Sequence, residues 1–230
     1  VFGFLPYSSQ TVQGSFSEYL VVRSEEIAAA PKNLSAPGVA SSATVGLTAI
    51  QALGESSTLE GRKVLVNGAS GGVGSIAVQY AKSAGAVVHA TCNGENREFV
   101  ASLGASKTFD YRKTDVSKLS GPYDIFFDAA AKTTPAKAAR VLQADGRYIT
   151  TLPSIAFLTG VARFWLSKRR ATFVVVKPRG VDLALLADLI ESEAVQIEVE
   201  KTFAFEQVPD ALEYQDSQSV RGKVAVSNRS

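Results

Sequence analysis

Glycines at 68, 71, 72 and 74 sit where they could do chemistry, in the run Gly68-Ala69-Ser70-Gly71-Gly72-Val73-Gly74. A missing side chain at Gly71 lets backbone approach a pyrophosphate, and one at Gly74 lets a helix lie close on the preceding strand. A helix opening behind such a turn offers unpaired N–H groups and a partial positive charge to the anion. The expected chemistry is dinucleotide binding. The flanks are of the kind that position such a turn. Lys63 to Val66 reads as a buried parallel strand, and Ile76, Val78 and Ala81 mark a helix opening at Ser75. Gly85 is the stop signal, and Ala86 to Thr91 forms the next strand.

Where NAD binds, a second strand of this kind ends in Asp or Glu about twenty residues past the turn, and the carboxylate accepts the ribose hydroxyls. Here the residue is Asn93, with Asn96 and Arg97 close behind. A carboxylate repels a 2′-phosphate and an amide donates to it, so the chemistry leans to NADP, with Glu95 the opposing charge.

Six strand candidates recur, at 62–67, 86–91, 107–111, 123–129, 146–152 and 171–177, separated by helical or loop segments. Their alternation predicts an α/β fold with a doubly wound parallel six-stranded sheet. Glu95 to Leu103 and Pro135 to Leu142 read as helices, the second ended by Asp145-Gly146. Upstream, Ser41 or Ser42 is expected to cap a helix through Val45, Leu47, Ile50 and Leu53. Downstream come a helix over Val181 to Glu193, a strand over 196–205, a helix over 208–214 and a strand over 222–226, all outside the sheet. Gly14 to Val22 reads as strand, and the two ends of the chain are expected to pair with each other and with a part missing from this sequence.

The 230 residues are 46% hydrophobic and 20% charged, enough for one or two domains with a substantial core. The most hydrophobic segment, Ile155 to Trp165, is too short to span a membrane. A net charge of +2 gives no argument for nucleic acid, and Lys168-Arg169-Arg170 reads as a solvated loop. With Cys92 the only cysteine, no intramolecular disulfide can form, which fits a reducing compartment. Val1 in first place and the lack of methionine suggest a processed, truncated or fragmentary chain, with any targeting segment upstream. No metal is expected. The one His and one Cys, His89 and Cys92, lie three apart on a strand and face opposite sides. His89 reads as a packed strand residue.

The ordered series Gly46-Leu47-Thr48-Ala49, Gly68 to Gly74, Ser102-Leu103-Gly104-Ala105 with Asp110-Tyr111, Val176-Lys177-Pro178 and Arg221-Gly222-Lys223-Val224 resembles the medium-chain dehydrogenase/reductase superfamily. Within it the likeness is to the zinc-independent quinone oxidoreductase branch, with the chloroplast-envelope quinone oxidoreductase homologues, furanone reductases and reticulon-interacting mitochondrial oxidoreductases. Ala69 in place of the first motif glycine is a variation this branch shares.

The resemblance implies a Rossmann sheet plus remnants of a GroES-like β-rich catalytic domain. Residues 1–37 would be such a remnant, 38–178 the NADP-binding domain, and 179–230 a segment returning to the catalytic domain. By the same resemblance Ser70, Gly71, Gly72 and Val73 hold the pyrophosphate, and Asn93 and Tyr111 flank the 2′-phosphate. Thr48 lies near the cofactor at the domain seam. Thr151, Leu152, Phe173 and Val175 line the nicotinamide end, and Val220 and Arg221 match a C-terminal cofactor contact. It implies NADPH-dependent hydride transfer to a quinone or to the double bond of an α,β-unsaturated carbonyl, and a homodimer formed through the sixth strand. The alternative is a cofactor-binding or interaction protein of the same fold without reductase activity. The expected compartment is the cytoplasm, with an organelle the alternative. No catalytic residue is assigned. Tyr7 and Tyr19 are the only tyrosines in the catalytic-domain remnant, and no tyrosine is followed four residues later by the lysine that short-chain dehydrogenases require.

Overall fold

The computed structural model describes all residues except 8–12, 18, 55–57, 166, 218–219 and 229–230. In chain order the elements are β1 (Phe2–Gly3), β2 (Ile27–Ala28), α1 (Ala36–Leu53), β3 (Lys63–Asn67), α2 (Gly72–Ser83), β4 (Val87–Cys92), α3 (Arg97–Ser102) and β5 (Lys107–Asp110). There follow β6 (Tyr123–Asp128), α4 (Pro135–Ala138), β7 (Leu142–Thr150), α5 (Ile155–Trp165), β8 (Arg170–Phe173), α6 (Gly180–Glu191), β9 (Val199–Ala204), α7 (Val208–Ser217) and β10 (Lys223–Ser227). The chain forms two compact units, one of Val1–Leu47 with Val176–Ser230, the other of Thr48–Val175. None of the helices, among the described residues, is long and apolar enough to cross a membrane.

The Thr48–Val175 unit is built on a parallel sheet in the order β5-β4-β3-β6-β7-β8, the doubly wound arrangement that the sequence predicts. The strand order reverses between β3 and β6, and in sheets of this kind ligands bind outside the carboxyl ends of the strands at such a reversal. Both strands are buried through Val64, Leu65, Val66, Ile125, Phe126 and Phe127. Leu65, Tyr123, Phe126, Tyr148, Phe157 and Phe164 form one apolar cluster.

Several boundaries differ from the sequence reading. Helix α2 opens at Gly72, not Ser75, because Gly71 is already its cap. The helix expected over Pro135 to Leu142 stops at Ala138. Leu142 is instead the first residue of β7 and pairs with Tyr123, whose N–H donates to the Val141 carbonyl at 2.8 Å. Burial of Val141 and Leu142 outweighs the helical spacing there. Strand β8 ends at Phe173, four residues earlier than expected, so Val175 is not a strand residue.

In the other unit, α1 begins at Ala36, and Ser41 and Ser42 are buried inside it rather than capping it. The start signal is Ser35, whose hydroxyl accepts from Gly38 N–H at 3.4 Å. Gly46 exists for contact, since a Cβ there would overlap the Leu186 side chain of α6. Among its described residues, Gly14 to Val22 is not strand. Among the described residues the two ends of the chain do not pair as strands either: β1 pairs with β2, and β9 with β10 in parallel. They meet through α6, where the Asn33 amide donates to the Ile190 carbonyl at 3.0 Å and Lys32 N–H to the Glu191 carboxylate at 3.0 Å.

His89 in β4 lies edge-on to Phe109 and Tyr123, its Nδ1 2.9 Å from the Tyr123 hydroxyl. Burial, then the charges of Lys63 and Lys107, hold its pKa below the ordinary 6.5. As pH falls through 6.5 the unfolded chain takes up this proton before the folded one, so the contribution of His89 to stability is lost on acidification. Urea unfolding from pH 7.5 to 5.5 is expected to show a falling midpoint, and His89→Gln to flatten that slope.

Candidate cofactor site at the glycine turn

The turn leaves β3 through Gly68, which holds φ +84° and has no room for a side chain, since a Cβ would lie 2.6 Å from Ala130 Cβ. At Gly74 a Cβ would fall on the Gly68 carbonyl oxygen and 2.8 Å from Ala69 Cα, so α2 crosses directly over the turn. Gly71 is different. A Cβ there would meet only the Gly68 oxygen at 3.7 Å, so nothing in this unit forbids one. Gly71 caps α2 with no side chain to accept from the first turn, while Ser70 is buried beside it and Gly72 and Val73 are half-buried. The Gly71 N–H donates to the Gly68 carbonyl at 3.3 Å, and the helix N-terminus behind it opens onto empty space, which fits a pyrophosphate.

Side chains at the ends of four strands brace this turn, and the sequence reading passed over them. Thr91 Oγ1 receives the Gly68 N–H at 3.2 Å and donates to the Asn67 amide oxygen. The Asn67 amide donates in turn to the Asp128 carboxylate at 2.7 Å, and the Tyr148 hydroxyl donates to the same carboxylate at 3.0 Å. Burial, and then the Asp128 charge, raises the Tyr148 pKa and keeps the phenol a donor. The available signal was Asp128 itself, an acid that ends the apolar run Ile125-Phe126-Phe127.

Asn93 follows β4 and is buried, its side-chain oxygen accepting from Asn96 N–H at 2.9 Å. This cap leaves only the amide N–H groups for a phosphate. Tyr111 is adjacent, its N–H bonded to the Cys92 carbonyl at 3.1 Å and its side chain exposed. Arg97, Arg112 and Lys113 are exposed on the same stretch, with Arg97 Nε donating to Thr108 at 3.3 Å. The Asp110 carboxylate accepts from Arg112 N–H at 2.9 Å. At the other end of the sheet Thr151 donates to the Ala129 carbonyl at 3.2 Å, Leu152 and Val175 are exposed, and Phe173 stacks edge-on with Phe157 at 5.9 Å. Thr48 is buried on α1. Val220 and Arg221 belong to the other unit, where the Arg221 guanidinium pairs with Glu198 at 2.8 Å. Tyr7 and Tyr19 are exposed.

A family model described as zinc-binding dehydrogenase matches residues 103–226. The mitochondrial NAD(P)H oxidoreductase RTN4IP1 of Bos taurus is 31% identical over 94% of this chain and 61% of its own length. The chloroplastic NADPH-dependent alkenal/one oxidoreductase of Arabidopsis thaliana is 32% identical over 93% of this chain and 53% of its own. The solved quinone oxidoreductase of Coxiella burnetii superposes with a TM-score of 0.78 at 29% identity, over 86% of this chain and 62% of that one. The chain belongs to the zinc-binding dehydrogenase family, of the medium-chain dehydrogenase/reductase fold. It spans about three fifths of the first of these relatives.

The family name mentions zinc. Among the described residues no three His, Cys, Asp or Glu side chains cluster to hold a metal. Cys92 is buried, and burial pushes its thiol up to about 11.

Proposed function

We propose that the complete protein is an NADPH-dependent, zinc-independent oxidoreductase that passes hydride to a quinone or to the double bond of an α,β-unsaturated carbonyl. The observation that carries this reading is the turn that is closed at Gly68 and Gly74 yet open at Gly71, at the reversal of strand order. The names of the relatives support the substrate classes, and Asn93 in place of an acid supports NADP over NAD.

In this reading the N–H groups of Ser70, Gly72 and Val73 bind the pyrophosphate, while Gly71, whose own N–H donates to the Gly68 carbonyl at 3.3 Å, leaves the space for it. Asn93 and Tyr111, with Arg97 and Arg112 beside them, bind the 2′-phosphate. Thr48, Thr151, Leu152, Phe173 and Val175 orient and dry the nicotinamide end. NADPH, when bound, supplies the hydride. The quinone or enone would gain that hydride and one proton, leaving NADP+ and the hydroquinone or saturated carbonyl, and no residue of this chain is assigned as the acid. Domains at 1–37, 38–178 and 179–230 go with this reading, as does a homodimer along the β8 edge, where Phe173 and Val175 are exposed. Relatives named mitochondrial and chloroplastic make an organelle as compatible as the cytoplasm.

The test is titration of the chain with NADPH and, separately, NADH, followed by nicotinamide fluorescence. NADPH oxidation by the full-length protein is then assayed with a quinone and an enone. Tight NADPH and weak NADH binding with turnover is the expected result. Binding without turnover in the full-length protein would favour a cofactor-binding protein that has lost the reductase activity. No binding of either nucleotide would end the reading.

A further inference from the structure

Asp128 is fully buried at the carboxyl end of β6. Its Oδ1 accepts from the Asn67 amide at 2.7 Å and from Lys132 N–H at 3.3 Å, and its Oδ2 accepts from Thr133 N–H at 2.8 Å and the Tyr148 hydroxyl at 3.0 Å. One carboxylate therefore holds two segments on opposite sides of the strand reversal. Through Asn67 and Thr91 it reaches the N–H of Gly68, the first residue of the glycine turn. Through Lys132 and Thr133 it closes the loop that follows β6.

That loop is not relaxed. Ala131 sits at φ +51°, a region costly for a residue with a side chain, and it persists only where surroundings impose it. The two amides after Ala131 are the ones directed at Asp128, so the carboxylate is what imposes the conformation. The loop and the turn also touch. Ala130 N–H donates to the Asn67 carbonyl at 3.2 Å, and Ala130 fills the space a Gly68 side chain would need. A shift in either segment is transmitted to the other.

Burying a carboxylate is expensive, and an apolar residue at this place in the core would cost less for folding alone. What the carboxylate adds is several directed bonds that fix two backbone segments relative to each other. We infer that Asp128 is a positioning residue for the dinucleotide, holding the Gly68 turn and the 129–133 loop in the geometry that receives NADPH. This rests on the reading of the turn as an NADPH site.

The test exchanges the two partners. Native protein, Asp128→Asn and the double variant Asn67→Asp with Asp128→Asn are compared for the Kd of NADPH, measured on folded protein well below the melting temperature, and for the melting temperature without nucleotide. In the double variant the amide at 128 donates to the carboxylate at 67, which still accepts from Thr91. The oxygen left at 128 still accepts from Thr133 and Tyr148, and the Lys132 N–H bond, at 3.3 Å the longest of the four, is the one the exchange gives up. Asp128→Asn alone is expected to weaken NADPH binding by about tenfold or more, and the exchange to restore it to within about threefold of native. Native-like affinity in folded Asp128→Asn overturns the inference. So does an exchanged protein that recovers the melting temperature and not the affinity. If Asp128→Asn does not fold, the exchanged protein decides alone by the same threefold margin. Native protein that binds no NADPH removes the site itself, an outcome distinct from native binding that the variants leave untouched.

Discussion

Gly71→Ala is expected to fold and to lose the dinucleotide, whereas Gly74→Ala is expected to melt far below native. The two residues lie three apart in one turn, and the difference is what surrounds each. A methyl at 74 meets the Gly68 carbonyl and Ala69 Cα, which are backbone atoms pinned by the bonds of Gly68 and Ala69 to Thr91. They cannot rotate away, and the overlap costs at least about 3 kcal/mol, a large part of the stability of an ordinary domain. A methyl at 71 meets one oxygen at ordinary contact distance, and φ −81° suits alanine. Loss of glycine at the helix cap costs about 1 kcal/mol or less, a few degrees of melting temperature. The space that the methyl takes is the space in which the pyrophosphate would lie, and NADPH affinity should fall at least about fifty-fold, somewhat over 2 kcal/mol. Thermal melts and NADPH titrations on the two variants separate the effects. A Gly71→Ala protein that binds NADPH as tightly as native would mean that the turn is structural.

The second large effect is on cofactor choice. Asn93→Asp keeps the oxygen that caps Asn96 N–H, so the local fold should survive. It replaces an amide donor with a negative charge where the 2′-phosphate is expected. At about 6 Å and an effective dielectric near 20, two unit charges repel by roughly 3 kcal/mol, which salt and solvent reduce to about 2 kcal/mol, or roughly thirty-fold. NADPH binding should weaken by that factor and NADH binding should hold or improve, since the new carboxylate can accept the ribose hydroxyls. Nucleotide titrations at low and moderate salt check this, and the NADPH loss should shrink as salt rises. Equal losses for both nucleotides would reduce Asn93 to a helix cap.

The parallel sheet and its glycine turn were legible in the sequence because their signals are local. Val64 to Val66 is a buried run, Gly71 to Gly74 is a spacing, and Gly85, at φ +81°, ends α2 where the pattern says it must. Each depends on residues within one turn or strand. Where non-local contacts compete with local preference, the sequence reading failed. Pro135 to Leu142 has helical spacing, yet Val141 and Leu142 gain more by pairing with Tyr123 and entering the core. Ser41 and Ser42 are good caps by type, yet packing carries α1 back to Ser35 and buries them.

The same division runs through the candidate site. The sequence by itself determined that a glycine turn between strand and helix lies between residues 68 and 74 and that an amide rather than an acid follows the second strand. Only the tertiary structure decided that Gly71 faces open space where Gly68 and Gly74 do not, that Asn93 is already committed as a cap, and that Asp128, some sixty residues from the turn, braces it. The reason is the parallel sheet. Its strands bring Asn67, Thr91, Asp128 and Tyr148 side by side from four separate stretches of chain, and no spacing along one stretch records that neighbourhood.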